Sequence, residues 1–121
     1  MKFALPFPPA SLSGHAKGNW RAKSGATKHQ RDYAAYRVSE VIAEDGYVVP
    51  ERGDILIHFH FVPGDRRGDR VNFPIRIKAT VDGIADALGV NDSRFLPSYS
   101  FGEPSPRKPR VEVTIEEDED L

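Results

Sequence analysis

Asp54-Ile-Leu-Ile-His-Phe-His-Phe-Val62 alternates with a period of two, setting Ile55, Ile57, Phe59 and Phe61 on one face and His58 and His60 on the other, which predicts a strand. Toward the N-terminus, Tyr33, Tyr36 or Arg37, Glu40 and Ala43 step by three and four, and Val38, Val41 and Ile42 join the apolar side. That spacing predicts a helix from Thr27 to about Glu44, ended by Asp45-Gly46. Toward the C-terminus, the polar turn Pro63 to Arg70 feeds a second helix from about Phe73 to Leu88, with Asn72 as candidate cap and Pro74 in the first turn. Ile77, Val81, Ile84 and Leu88 give it a buried stripe, and Gly89 suits a left-handed cap. Lys2 to Leu5 reads as a short strand stopped by Pro6, Pro8 and Pro9. A broken segment from Phe95 to Phe101, a Pro-rich turn from Pro104 to Pro109 and a last strand at Val111, Val113 and Ile115 complete the chain. The order, roughly β-α-β-α-β-β, predicts a small single-domain α+β fold with a mixed sheet and two helices.

The 121 residues suit one domain, here 1–115, followed by an acidic tail at 116–121. The formal charge of −1 conceals an asymmetry, because Glu116, Glu117, Asp118, Glu119 and Asp120 are contiguous. Without these five, 17 basic residues face 13 acidic ones, a net +4 suited to polyanions. The absence of cysteine excludes disulfides, zinc ribbons and thiol nucleophiles and fits a reducing cytoplasm. No apolar run reaches 18 residues, and three prolines interrupt the opening MKFALPFPPAS, so neither a membrane span nor a signal peptide is expected. From Ala10 to Ala26 the chain lacks an apolar period and carries Lys17, Trp20, Arg21 and Lys23, which reads as a long mobile basic loop.

Chemistry-bearing residues concentrate between Asp65 and Arg94: Asp65, Arg66, Arg67, Asp69, Arg70, Asn72, Arg76, Lys78, Asp82, Asp86 and Asp92. Carboxylates hold Mg²⁺ as hard ligands, while interleaved cations attract a phosphate that the carboxylates alone would repel. The same composition also suits solvated turns and caps. Lys78 and Asp82 are spaced to touch across one helical turn, as an ordinary ion pair or as part of a phosphate contact. His58 and His60 share a strand face and could reach one metal, but with no third His nearby in sequence a packed or surface pair is the favoured reading. Phosphate-loop, dinucleotide, Gly-x-Ser-x-Gly and calcium-loop signatures are absent.

Five pieces in order, Leu5-Pro-Phe-Pro-Pro-Ala-Ser11, Pro63-Gly-Asp-Arg-Arg-Gly-Asp69, Asn72, Lys78-Ala-Thr-Val-Asp82-Gly-Ile84 and Asn91-Asp92, resemble the RusA family of Holliday-junction resolvases, small endonucleases of phage origin. The resemblance implies a homodimer of α+β subunits that nicks four-way DNA junctions symmetrically with Mg²⁺, Mn²⁺ being a substitute. It makes Asp69 and Asp92 metal ligands and Lys78 the catalytic lysine. One departure stands out: where the family reads Asp-Leu-Asp-Asn, this chain reads Asp69-Arg-Val-Asn72, and a valine binds no metal. Asn72, Asp65 or Asp82 would take the vacant ligand position, or cleavage would be weakened. Arg66, Arg67, Arg70 and Arg76, with Lys17, Arg21 and Lys23, would grip the DNA backbone, and Trp20 would either pack or stack on an unpaired base.

A continuous helix from Phe73 to Leu88 would be about 24 Å long, with Asp69 before it and Asp92 after it. Four residues return at most about 14 Å, so the two aspartates meet in one subunit only if the helix is shorter or bent. Otherwise Asp92 of one subunit completes the site begun by Asp69 of its partner. The expected function is a cytoplasmic, metal-dependent, structure-selective endonuclease. A junction-binding protein that no longer cuts and an interaction module that binds no nucleic acid are the alternatives.

Overall fold

The computed structural model describes residues 1–9 and 20–116, with the backbone alone for residues 20–22. The expected loop at 10–26 is corrected from Trp20 onward, because a 26-residue helix α1 runs from Trp20 to Asp45. Its first turns escape the apolar pattern because Ser24, Gly25, Thr27 and Lys28 are all exposed. The Thr27 hydroxyl donates to the Lys23 carbonyl (2.8 Å), a bond within the helix that stabilises this polar stretch. Lys17 lies outside the described residues, and Trp20 and Arg21 are placed by their helical backbone only.

Strands β1 (Lys2–Pro6), β2 (Ile55–Val62), β3 (Phe95–Phe101) and β4 (Arg110–Ile115) form one mixed sheet in the order β1-β4-β2-β3. Strand β4 pairs antiparallel with both β1 and β2, whereas β2 and β3 run parallel. Pro6 ends β1 rather than stopping it one residue earlier, and pairs with Arg110 at the sheet margin. The period of two in β2 has its predicted outcome: Ile55, Ile57, Phe59 and Phe61 are buried, with Val111, Val113 and Ile115 beside them. These side chains meet Ala34, Val38 and Val41 of α1 and Ile77, Ile84 and Leu88 from the second helical segment.

That segment is broken, not continuous as expected. Arg70–Asn72 form a 3₁₀ turn, α2 covers Phe73–Arg76, and α3 covers Lys78–Leu88, with Ile77 between them at φ −95°, ψ 7°. The break lets Phe73 and Ile77 both reach the core, each 1% exposed. Asn72 makes no side-chain capping bond, whereas Gly89 closes α3 at φ 69° as expected. Helix α3 presses closely on α1 at Gly83, where an added Cβ would lie 2.3 Å from the Arg31 carbonyl oxygen and 2.8 Å from Ala34 Cβ. Among the described residues, no helix is long and apolar enough to cross a membrane.

Candidate functional site

Lys78 opens α3, and its ammonium donates to Asp82 Oδ1 at 2.9 Å and to Asp92 Oδ2. The first contact is the predicted step across one turn. The second joins residues fourteen apart and depends on how the chain leaves α3. Gly89 reverses the backbone, and Asn91 Oδ1 then accepts from the Ser93 amide (2.9 Å), starting the 3₁₀ turn Asp92–Arg94. Arg94 clamps this turn from the other side, donating to the carbonyls of Pro50 (2.8 Å) and Gly53 (3.1 Å). Asp92 is therefore held between a side-chain cap and an anchored arginine.

The electrostatics follow from this geometry. The hydrogen bond from Lys78, reinforced by its charge, holds the Asp92 carboxyl below the usual carboxylate range, and the bonds to Asp92 and Asp82 raise the Lys78 ammonium above the usual lysine value. Lys78 and Asp92 both keep their charges at neutral pH. The side chains of Lys78, Asp82 and Asp92 are 64%, 27% and 37% exposed, and ion pairs so open to water contribute little to stability. The cluster is better suited to meeting a charged ligand than to holding the fold together.

Asp69 is placed differently. Its Oδ1 accepts from the Val71 amide (3.0 Å), making it the cap of the 3₁₀ turn before α2. Phe73 anchors the turn from inside, its ring packing against Gly68, where an added Cβ would lie 2.6 Å from a ring carbon. Asp69 lines a hollow of about 380 Å³ together with Asp65, Arg66, Gly68, Arg70 and Phe73. Asp65 accepts from the Arg67 amide (2.9 Å), Arg67 pairs with it at 3.4 Å, and Arg66 pairs with Glu103 at 2.6 Å. The expected site thus divides into an Asp82–Lys78–Asp92 cluster and an Asp65–Asp69 hollow bordered by arginines. Val71, standing where the RusA pattern has an aspartate, is 80% exposed and in neither group.

Arg76, expected at the DNA backbone, packs against aromatic rings. Its guanidinium lies 5.0 Å from the Phe7 ring centroid and 5.5 Å from that of Phe73, and Nη2 donates to the Pro8 carbonyl (2.6 Å). Burial against these rings lowers its pKa. The aromatic neighbours recruit it into packing, which sequence spacing alone does not reveal. Glu103 as partner of Arg66, and Gln30, whose amide bonds Thr80, carried no recognisable signal in the sequence. His58 and His60 form a hydroxyl network, with His58 Nδ1 2.6 Å from Ser98 Oγ and Ser100 Oγ within 2.7 Å of His58 Nε2 and 2.6 Å of His60 Nδ1.

The donor set fits a divalent cation in a limited way. Asp82 and Asp92 already converge on one cationic nitrogen, and Mg²⁺ is commonly held by one or two carboxylates with waters and substrate phosphates. Among the described residues, no group of three or more His, Asp or Glu is arranged to enclose a metal.

No protein-family model matches the chain. A protein of Xylella fastidiosa (strain Temecula1), described as uncharacterized, is 38% identical over 97 residues, covering 76% of this chain and 60% of the relative. The chain thus spans about three fifths of the length of that relative.

Proposed function

We propose that this protein is a Mg²⁺-dependent, structure-selective endodeoxyribonuclease acting on four-way or otherwise branched DNA as a homodimer. The observation that carries the reading is the exposed Lys78–Asp92 pair, which unites the lysine and the aspartate singled out by the RusA-like motifs. Asp92 and Asp82 would hold the metal from one side and Asp69 from the hollow. Mg²⁺ bound there would supply an activated water and polarise the scissile phosphate. Lys78, kept protonated by its two carboxylates, exchanges one of them for a phosphoryl oxygen and neutralises the charge developing on it. Arg66, Arg67 and Arg70 are exposed and contact backbone phosphates, which positions a junction without reading its bases.

The homodimer is proposed on strand β3. It forms one edge of the sheet and exposes Leu96, Tyr99 and Phe101 at 52%, 42% and 40%. A two-fold pair also gives two nicking centres, and the separation of Asp69 from the Lys78 cluster is met if each subunit completes its partner's site.

The test is Mg²⁺-dependent nicking of synthetic four-way junctions by the wild type, Lys78→Ala and Asp92→Asn. Both variants are expected to keep junction binding while cleavage falls by about 10²-fold or more, the scale of losing one transition-state charge partner. Unchanged nicking by Lys78→Ala sinks the assignment. A second reading, junction binding without cleavage, is favoured by the exposed Val71 and predicts binding with no nicks in Mg²⁺ or Mn²⁺ even by the wild type.

A further inference from the structure

The face of the sheet turned away from the helices carries a cluster that the proposed nuclease leaves unused. On β2 the row opposite the buried Ile57, Phe59 and Phe61 brings His58 and His60 side by side, both half-buried. The parallel register sets Ser98 and Ser100 of β3 directly beside them. None of these four residues belongs to the Lys78 group or lines the Asp69 hollow.

The ring orientations carry the argument. His58 Nε2 and His60 Nδ1 approach the same atom, Ser100 Oγ, at 2.7 and 2.6 Å, so two imidazole nitrogens from one strand are turned toward a single point. Gly102 leaves room for the His60 ring to stand this way, since a Cβ there would lie 2.7 Å from Nε2. Ser100 has one hydroxyl hydrogen and can donate it to only one of the two nitrogens, so in the neutral, metal-free pair the other nitrogen donates. A cation at the meeting point instead needs a lone pair on each. His58 then carries its hydrogen on Nδ1, which lies 2.6 Å from Ser98 Oγ. Such an outer hydrogen bond is what commonly fixes a metal-binding imidazole in its tautomer and orientation.

We propose that His58 Nε2 and His60 Nδ1 form a site for a borderline divalent cation, Zn²⁺ above all, different in chemistry from the carboxylates that suit Mg²⁺. Imidazole nitrogens suit Zn²⁺, Cu²⁺ and Ni²⁺, whereas Mg²⁺ takes oxygen ligands. At the usual Zn–N distance of about 2.0–2.1 Å the ion sits between the rings next to the Ser100 hydroxyl, and water fills the positions open to solvent. Two imidazoles do not enclose a metal, so the site is an exchangeable one on the sheet surface. Glu112, opposite His60 on β4, adds a carboxylate to this face, although it is engaged by Arg110 Nε at 3.0 Å.

Calorimetric titration of the chain with Zn²⁺, in excess Mg²⁺ to occupy the carboxylates, tests the site. The wild type is expected to bind Zn²⁺, and His58→Gln and His60→Gln each weaken binding by about tenfold or more. Ser98→Ala weakens it by about tenfold through the lost outer hydrogen bond, and it carries the test if a glutamine variant melts early, because Ser98 is exposed. His29→Gln, outside the cluster, leaves the affinity unchanged. Absence of Zn²⁺ binding by the wild type, unchanged affinity in any of the three cluster variants, or a loss caused by His29→Gln overturns the site and leaves the network as packing between β2 and β3. No arm of the test involves DNA, so its outcome is independent of the nuclease reading.

Discussion

At the scale of single residues, Gly83 shows how a missing side chain can decide a crossing. Alanine elsewhere in a helix would be gained stability, by about 1 kcal/mol relative to glycine. Here the added methyl meets backbone oxygen at 2.3 Å, and a carbonyl in the middle of α1 has no rotamer with which to retreat. Gly83→Ala is therefore expected to destabilise the protein by about 1–3 kcal/mol, as overpacking does, seen as a lower urea midpoint with an unchanged slope. A stabilised variant would refute the close approach of the two helices. In the sequence this glycine lies inside a motif and gives no hint of its neighbours across α1. Lys78 and Asp82 were legible because a helical turn fixes their spacing, and the structure joins them at 2.9 Å. Arg76 was not legible, because its burial depends on Phe7, distant in the chain, and on the Pro8 carbonyl.

At the scale of elements, α1 and α3 are also joined at their exposed side by Arg31, which donates through Nε and Nη2 to both carboxylate oxygens of Asp86 (2.7 and 2.9 Å). The hydrogen bond from Arg31 lowers the Asp86 pKa, and the same bond raises that of Arg31. A depressed carboxyl contributes stability that is present above its unfolded value and is lost as pH falls from there through the folded value. The raised guanidinium keeps its contribution until far into the alkaline range. Asp86→Asn is thus expected to lower the melting temperature at neutral pH but not below the ordinary carboxylate range, so that the two pH profiles converge in acid. Parallel profiles would mean that the pair does not couple the helices. The helical stripe Ile77, Val81, Ile84 and Leu88 was read correctly in its burial, with Val81 only half buried. The break at Ile77 was not readable, since the apolar period runs through it without interruption. Nor was the start of α1, where exposed polar residues leave no stripe to detect.

At the scale of the whole molecule, the α+β class followed from the alternation of β2 and β4 and the two helical periods. Strand order did not, because pairing partners forty or more residues apart leave no mark on local pattern. One consequence of that order concerns assembly. If β3 is the dimer edge, Leu96→Lys is expected to convert a dimer to a monomer in sedimentation velocity, whereas Val48→Lys, at another exposed apolar position, leaves it dimeric. Dimerisation indifferent to Leu96→Lys would move the interface elsewhere. A further consequence lies in the position of β4, which is last in sequence among the strands yet lies between β1 and β2. Until residue 115 has left the ribosome, β1 has no neighbour and β2 lacks one of its two. The sheet is keyed from its last strand, so the nascent chain carries the apolar row Ile55, Ile57, Phe59 and Phe61 uncompleted until β4 has been made. Folding of this domain consequently waits for its last strand, and the non-local pairing of β1 with β4 makes that step slow.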